Sequence, residues 1–260
     1  MVQVTTMDGL LELRPADLPV LALVLFRVTG VVLVAPVLGS PSIPVMARVF
    51  LSVLLALVFF PIVRAGAAPA EFSTGAFAVA AAGELGIGLL IGFAASLLFA
   101  AVQLGGHLLD QELGILQANL LDPFSDVPIS VMGQFKLLLA TVVYLLLNGH
   151  HFLISALGDS FRAAPLAGAA AGQVADGMVL DLFRMAVQIA APALVTLFLV
   201  TIALAFMART VPEMNLFALS FPVRLGVGLL VVAVGVGLFR AVFESGLARN
   251  MESIGRLLGG

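Results

Sequence analysis

The sequence predicts an all-α integral membrane protein of about six apolar helical regions arranged as proline-kinked hairpins, and three observations carry that expectation. Hydrophobic residues make up 62% of the 260-residue chain and charged residues only 10%, against roughly 25% charged in an ordinary soluble domain. The charges also leave gaps long enough to cross a hydrocarbon layer. Twenty uncharged residues separate Arg27 from Arg48, 25 separate Glu84 from Asp110, 22 separate Lys136 from Asp159 and 24 separate Arg184 from Arg209, where a span needs about 20. Mean hydropathy is +1.19. These values exclude a soluble enzyme. A net charge of −3 with twelve basic residues in no continuous stripe excludes a nucleic-acid partner, and the absence of cysteine removes disulfides, thiolate nucleophiles and cysteine metal sites.

Apolar runs bounded by Pro, Gly and charge place the helices at about 18–37, 42–63, 72–104, 128–156, 177–208 and 216–243, in a single membrane domain spanning 1–260. Asp8, Glu12 and Asp17 beside one Arg14 are unlike the basic start of a secretory signal, so the first apolar segment is expected to be retained. Pro36, Pro41 and Pro44 remove backbone donors and predict a tight hairpin between the first two helices. In the third region Gly83, Gly88 and Gly92, with Ala80 and Ala95, form a small-residue surface that another helix can approach closely. The run Gly86-Ile-Gly88-Leu-Leu-Ile-Gly92 resembles a dinucleotide fingerprint only superficially, because its last spacing is one residue too long and no βαβ pattern surrounds it.

The stretch from Leu104 to Pro123, inside a segment drawn at 104–127, is too apolar for a solvated loop and too interrupted for a span. Irregular backbone at membrane depth is tolerated only where protein buries it or water runs beside it. The residues alone therefore suggest a re-entrant or pore-lining segment, with a long interfacial loop as the alternative. Gly105, Gly106 and Gly114 would permit rearrangement. Leu116, Leu120 and Leu121 would form an apolar constriction that excludes water, and Gln117 and Pro123 complete the segment. Asp110, Glu112 and Asp122 are expected near water or paired with donors from a partner subunit.

Further along, adjacent His150 and His151 point about 100° apart on a helix and chelate one ion poorly, so no metal, cofactor or catalytic residue is expected. Pro212 and Pro222 suggest a second hairpin, and the spacing of Pro212 to Arg224 echoes that of Pro36 to Arg48. The tail, 244–260, is polar and amphipathic. The small excess of arginine on the amino-terminal side places both termini in the cytoplasm. The chain has no Trp and a single tyrosine, Tyr144, against 19 Phe. A chain short of the usual interfacial aromatics suits helices surrounded by protein, in a larger helical assembly. Arg27, Glu84, Arg184 and Arg224 are costly within a membrane and need partners or water. They would be the working groups of a secondary transporter, but nearly all lie at the edges of apolar runs.

Several motifs, taken in order, resemble the FliR family, the R-type membrane component of the flagellar type III export apparatus. They are Phe26-Arg27, the hairpin ending Ile43-Pro44 with Arg48, Glu84-Leu-Gly-Ile-Gly88, Gly92-Phe93, Gly105 through Asp110 with Gly114, and Asp122-Pro123. Asn148-Gly-His-His151, Ser160-Phe161, Ala191-Pro192, Arg209, Pro212 to Phe217 and Pro222 follow. The resemblance implies a noncatalytic subunit of the bacterial inner membrane and flagellar basal body. It would join P-type and Q-type gate subunits and the B-type switch protein, and pass unfolded flagellar substrates. It further implies that Gly105–Pro123 is the plug closing the pore, although relatives often have phenylalanine where this chain has Gln117 and Leu120. The virulence injectisome subunit is the nearest rival, and Asn148-Gly-His-His151 looks more like the flagellar branch.

Overall fold

A computed structural model describes residues 14–65, 73–114, 130–166, 178–210 and 216–257, and every regular element among them is helical. Helix α1, Leu18–Val34, follows a 3-10 turn at Pro15–Asp17. It stops because Pro36 forces the preceding Ala35 out of helical geometry, to φ −58° and ψ 140°, as the ring clash of an X-Pro pair requires. The chain then turns through Val37, a β-branched residue at φ 67°, and Pro44 begins α2, Val45–Arg64. Across the open end of this hairpin Arg64 pairs with Asp17 at 3.0 Å. Helix α2 buries Ser52, Ala56, Phe59 and Phe60 along one stripe while Met46, Phe50, Leu54 and Ile62 on other faces are exposed. A helix apolar all round is solvated by lipid or by other protein.

Helix α3, Thr74–Leu113, has 40 residues and continues nine residues past the end expected at 104. The expected 128–156 helix is two, α4, Val131–Leu146, and α5, Gly149–Ala163, bent by 66° where Asn148 takes φ 55°. Helix α6, Met178–Thr210, runs through Pro192 without a break. Helices α7, Leu216–Val234, and α8, Val236–Leu257, meet at a 58° bend. Pro222, expected in a hairpin turn, lies inside α7: an apolar helix tolerates the lost backbone bond when neighbours or local adjustment satisfy the freed carbonyl. Pro212 lies outside the described residues. Among the described residues three helices are long and apolar enough to cross a membrane, or up to five if each bent pair is one span. The chain is an all-α integral membrane protein.

The fold divides into two compact units, 1–96 with 150–176 and 251–260, and 97–149 with 177–250. In the first, Leu23, Val24, Val28 and Val31 of α1 and Ile87 and Ile91 of α3 are buried. α2 packs on α5 through Phe59 and Phe161, centroids 5.8 Å apart. In the second, Leu109, Leu113, Met132, Ala190, Ala193 and Leu197 form a core cluster, and Phe99 meets Tyr144 and Phe243 edge-on at 5.3 and 6.0 Å.

Candidate functional site

Two buried polar clusters stand out, one in each unit. In the first unit α1 and α3 approach until glycine is the residue that fits. A Cβ on Gly30 would lie 2.6 Å from the Leu85 carbonyl oxygen, one on Gly92 would lie 2.9 Å from that of Val31, and one on Gly88 would come closer still to that of Arg27. Gly83, grouped with Gly88 and Gly92 in the sequence, is a correction: a Cβ there would meet nothing within 4 Å, because its position is rotated off the face that meets α1. The close crossing brings Arg27 to Glu84, with Nε donating to Oε2 at 2.5 Å and both side chains at 0–1% exposure.

The rest of the guanidinium reaches the end of α5. Nη1 donates to the Ser160 carbonyl at 2.8 Å and to its hydroxyl at 3.3 Å, and Nη2 donates to the Ala164 carbonyl at 2.8 Å. Its carbon lies 4.4 Å from the centroid of the Phe161 ring. The last carbonyls of a helix lack intrahelical partners and carry partial negative charge, so Arg27 neutralises Glu84 and caps α5 together. The sequence marks both charges as needing partners but not that each is the other's.

The second cluster frames the expected plug. Gly105 and Gly106 are in α3 and serve helix crossing, not flexibility. A Cβ on Gly105 would sit 2.8 Å from the Ala186 carbonyl oxygen of α6, and one on Gly106 would collide with Gly133 of α4. The expectation that they loosen the backbone is overturned, since both are pressed against neighbouring helices. Asp110 corrects a second expectation. Fully buried, it is paired within the chain: Ser130 Oγ donates to its carboxylate at 2.5 Å and the Met132 N–H at 3.1 and 3.2 Å. Ser130 caps α4 by accepting from the Gly133 N–H at 2.9 Å. A carboxylate at the first turn of a helix is favoured by its unpaired N–H groups and dipole, which explains how an acid is held in an apolar core.

Gly114, at φ 77°, ends α3 in the left-handed turn that glycine adopts without penalty. The intervening residues, which include Leu116, Gln117, Leu120, Asp122 and Pro123, lie outside the described residues. Their two stems, Asp110–Gly114 and Ser130–Met132, are tied to each other by the Asp110 hydrogen bonds. Pro36 is buried in the first hairpin, Pro41 is exposed, and Pro44 is the residue preceding α2. The rings of His150 and His151 lie with centroids 4.2 Å apart and planes tilted by 54°, and no group of three potential ligands that could hold a metal occurs among the described residues.

Known proteins match this chain along most of its length. The model of the family described as bacterial export proteins, family 1, matches residues 18–249. A flagellar biosynthetic protein FliR of Bacillus subtilis is 28% identical over 97% of this chain and 98% of its own. A protein of the same name from Escherichia coli is 29% identical over 80% of this chain and 81% of its own. The Yop proteins translocation protein T of Yersinia pestis is 32% identical over 58% of this chain and 60% of its own. With the family model covering nearly the whole described fold, the chain belongs to family 1 of the bacterial export proteins, the FliR family that its motifs resemble.

Proposed function

We propose that the chain is a noncatalytic gate subunit of the flagellar type III export apparatus, seated in the bacterial inner membrane at the basal body. It joins P-type and Q-type membrane subunits and the B-type switch protein, and the assembly passes unfolded flagellar proteins. In this reading the residues between Gly114 and Ser130 close the conduit while no substrate is passing. The observation that supports the closing role is the Asp110 clasp: it fixes both stems of an apolar segment to one carboxylate, so that the segment's two ends are held side by side. Glu84, the acid deepest in an apolar region, is already engaged by Arg27, which leaves a secondary transporter without its expected ion-coupling group. The likeness to the Yersinia translocation protein makes an injectisome gate the second reading. Deletion of the gene tests between them: loss of flagellar filaments would favour the first, and intact filaments the second.

The test of closure expresses the chain with its partners. Replacing Leu116 and Leu120 by glycine is expected to leave assembly intact and make resting cells conduct small ions, because a dewetted apolar constriction is lost. Asp110→Ala, which releases the stems, should leak in the same way. Normal assembly with a membrane as tight as the parent's in both variants would replace the gate reading with an interfacial loop.

A further inference from the structure

The first two helices carry three arginines, and two of them find carboxylates within the chain: Arg27 pairs with Glu84 at 2.5 Å and Arg64 with Asp17 at 3.0 Å. Arg48, the fourth residue of α2, does not. Its Nε is buried without a hydrogen-bond partner, and no carboxylate among the described residues stands within ion-pair distance of the guanidinium. Ser52, one turn on, spends its hydroxyl on the Arg48 carbonyl at 2.9 Å. A guanidinium has five N–H donors, and taking them from water without an acceptor is costly.

Two other cations are placed differently. Lys136 is 6% exposed and closed off inside the second unit, its Nζ donating to the Ile189 carbonyl at 3.1 Å and lying 5.9 Å from the centroid of the Phe239 ring. Arg224 also has a buried Nε without a partner. The residues one and two turns beyond it, however, face the chain's own core: a Cβ on Gly228 would collide with Leu113, and Val231 packs on the cluster around it. The row that Arg48 heads opens outward. Leu51, Leu55, Val58 and Ile62 follow at alternating spacings of three and four, the first two half-buried and the last two 56% and 61% exposed. That is the heptad spacing with which one helix receives the side chains of another, and a single polar residue in such a seam fixes its register.

We infer that this seam receives an apolar helix of another gate subunit, with an Asp or Glu of that helix paired to Arg48. The inference rests on the gate-subunit reading and adds to it the surface and the chemistry of one contact. Apolar helices inside lipid gain no hydrophobic attraction for one another, so a charge pair at one end of the seam supplies the specificity that its Leu, Val and Ile side chains lack. A lipid phosphate would also meet the charge, but acyl chains need no heptad row beneath it. The chain has no Trp, and its one tyrosine, Tyr144, is buried in the second unit. Helix α2 therefore lacks the aromatics that commonly seat a lipid-facing helix at the headgroups.

The experiment uses the full chain co-purified with its partner subunits from native membranes. Arg48→Lys keeps the charge and supplies an amine, which a carbodiimide joins to a touching carboxylate as an amide while the reagent leaves as its urea. Mass spectrometry should find that amide between the α2 peptide and an Asp or Glu in an apolar segment of a co-purifying subunit. The parent should give no such link, since a guanidinium does not react. Arg48→Met should lower the ratio of recovered partner to inserted chain about tenfold or more while the amount of inserted chain stays that of the parent. Leu55→p-benzoylphenylalanine should photolabel the same partner helix. An assembled Arg48→Lys complex without the amide overturns the inference and leaves the gate reading standing. So does an Arg48→Met variant that recovers its partners like the parent, an amide to a carboxylate of this chain, or a photolabel found on phospholipid alone. If no small membrane protein accompanies the parent, both readings fall. If Arg48→Lys fails to assemble, the photolabel decides: on an acid-bearing apolar helix it supports the inference, and anywhere else it overturns it.

Discussion

Arg27 offers the sharpest test of the first unit because it does two jobs that substitutions can separate. Glu84→Gln removes the carboxylate charge but leaves the guanidinium its bonds to the Ser160 and Ala164 carbonyls. Stranding one member of a buried ion pair costs about 3–5 kcal/mol. Arg27→Met takes the guanidinium from Glu84 at a similar cost and also leaves the Ala164 carbonyl without its donor, at about 1–3 kcal/mol, while the Ser160 carbonyl keeps the Ala164 N–H at 2.9 Å. It should therefore be the more damaging of the two, by about 1–3 kcal/mol. In the double variant this pair buries no charge, so only the carbonyl cost of about 1–3 kcal/mol remains. The double variant should then be more stable than Arg27→Met alone. Detergent-driven unfolding of the purified chain in mixed micelles, followed by helical circular dichroism, measures the order. Strictly additive losses, or a Glu84→Gln variant as stable as the parent, would refute the paired-charge account of this cluster.

Two further outcomes follow from backbone geometry. Gly88→Ala drives a Cβ into the Arg27 carbonyl and should cost about 1–3 kcal/mol, whereas Gly83→Ala meets open space and should gain up to about 1 kcal/mol of helix propensity; the two unfolding midpoints should move in opposite directions. Val37→Asn places a residue that tolerates the left-handed region at φ 67°, and by removing most of a penalty of about 1–2 kcal/mol it should raise the midpoint by a few degrees without changing helix content.

Much of this fold is legible in the sequence because the long apolar runs, bounded by Pro and charge, are the helices, and Pro36 to Pro44 reads directly as a turn. Two kinds of information are not local. Gly105 and Gly106 look like breaks in a helix, yet α3 runs through them, since what matters there is that Ala186 and Gly133 lie against them across the unit. Asp110 and Ser130, twenty residues apart, and Arg27 and Glu84, 57 apart, are each recognisable as polar groups in apolar surroundings, but spacing alone does not couple them. One missed boundary was within reach: Asn148-Gly149 is a strong turn dipeptide, and the chain bends there by 66°. Lys136 looked like a charge just inside a helix end, and its burial depends on α6 and α8 closing around it.

The length of α3 bears on how this protein meets its bilayer. Forty residues at a rise of 1.5 Å make about 60 Å, twice a hydrocarbon layer of about 30 Å. Fitting all of it into that layer would need a tilt of about 60°, beyond the usual range of 0–40°. Part of α3 therefore stands outside the acyl chains, and 56% of its most apolar window is covered by the chain's own residues, against 22% for α2. Helix α2, at 20 residues, is about 30 Å long and matches the layer. Hydrophobic mismatch should accordingly be felt through α2: thinner or thicker lipids would strain that helix, while α3, wrapped in protein, would be largely indifferent to membrane thickness.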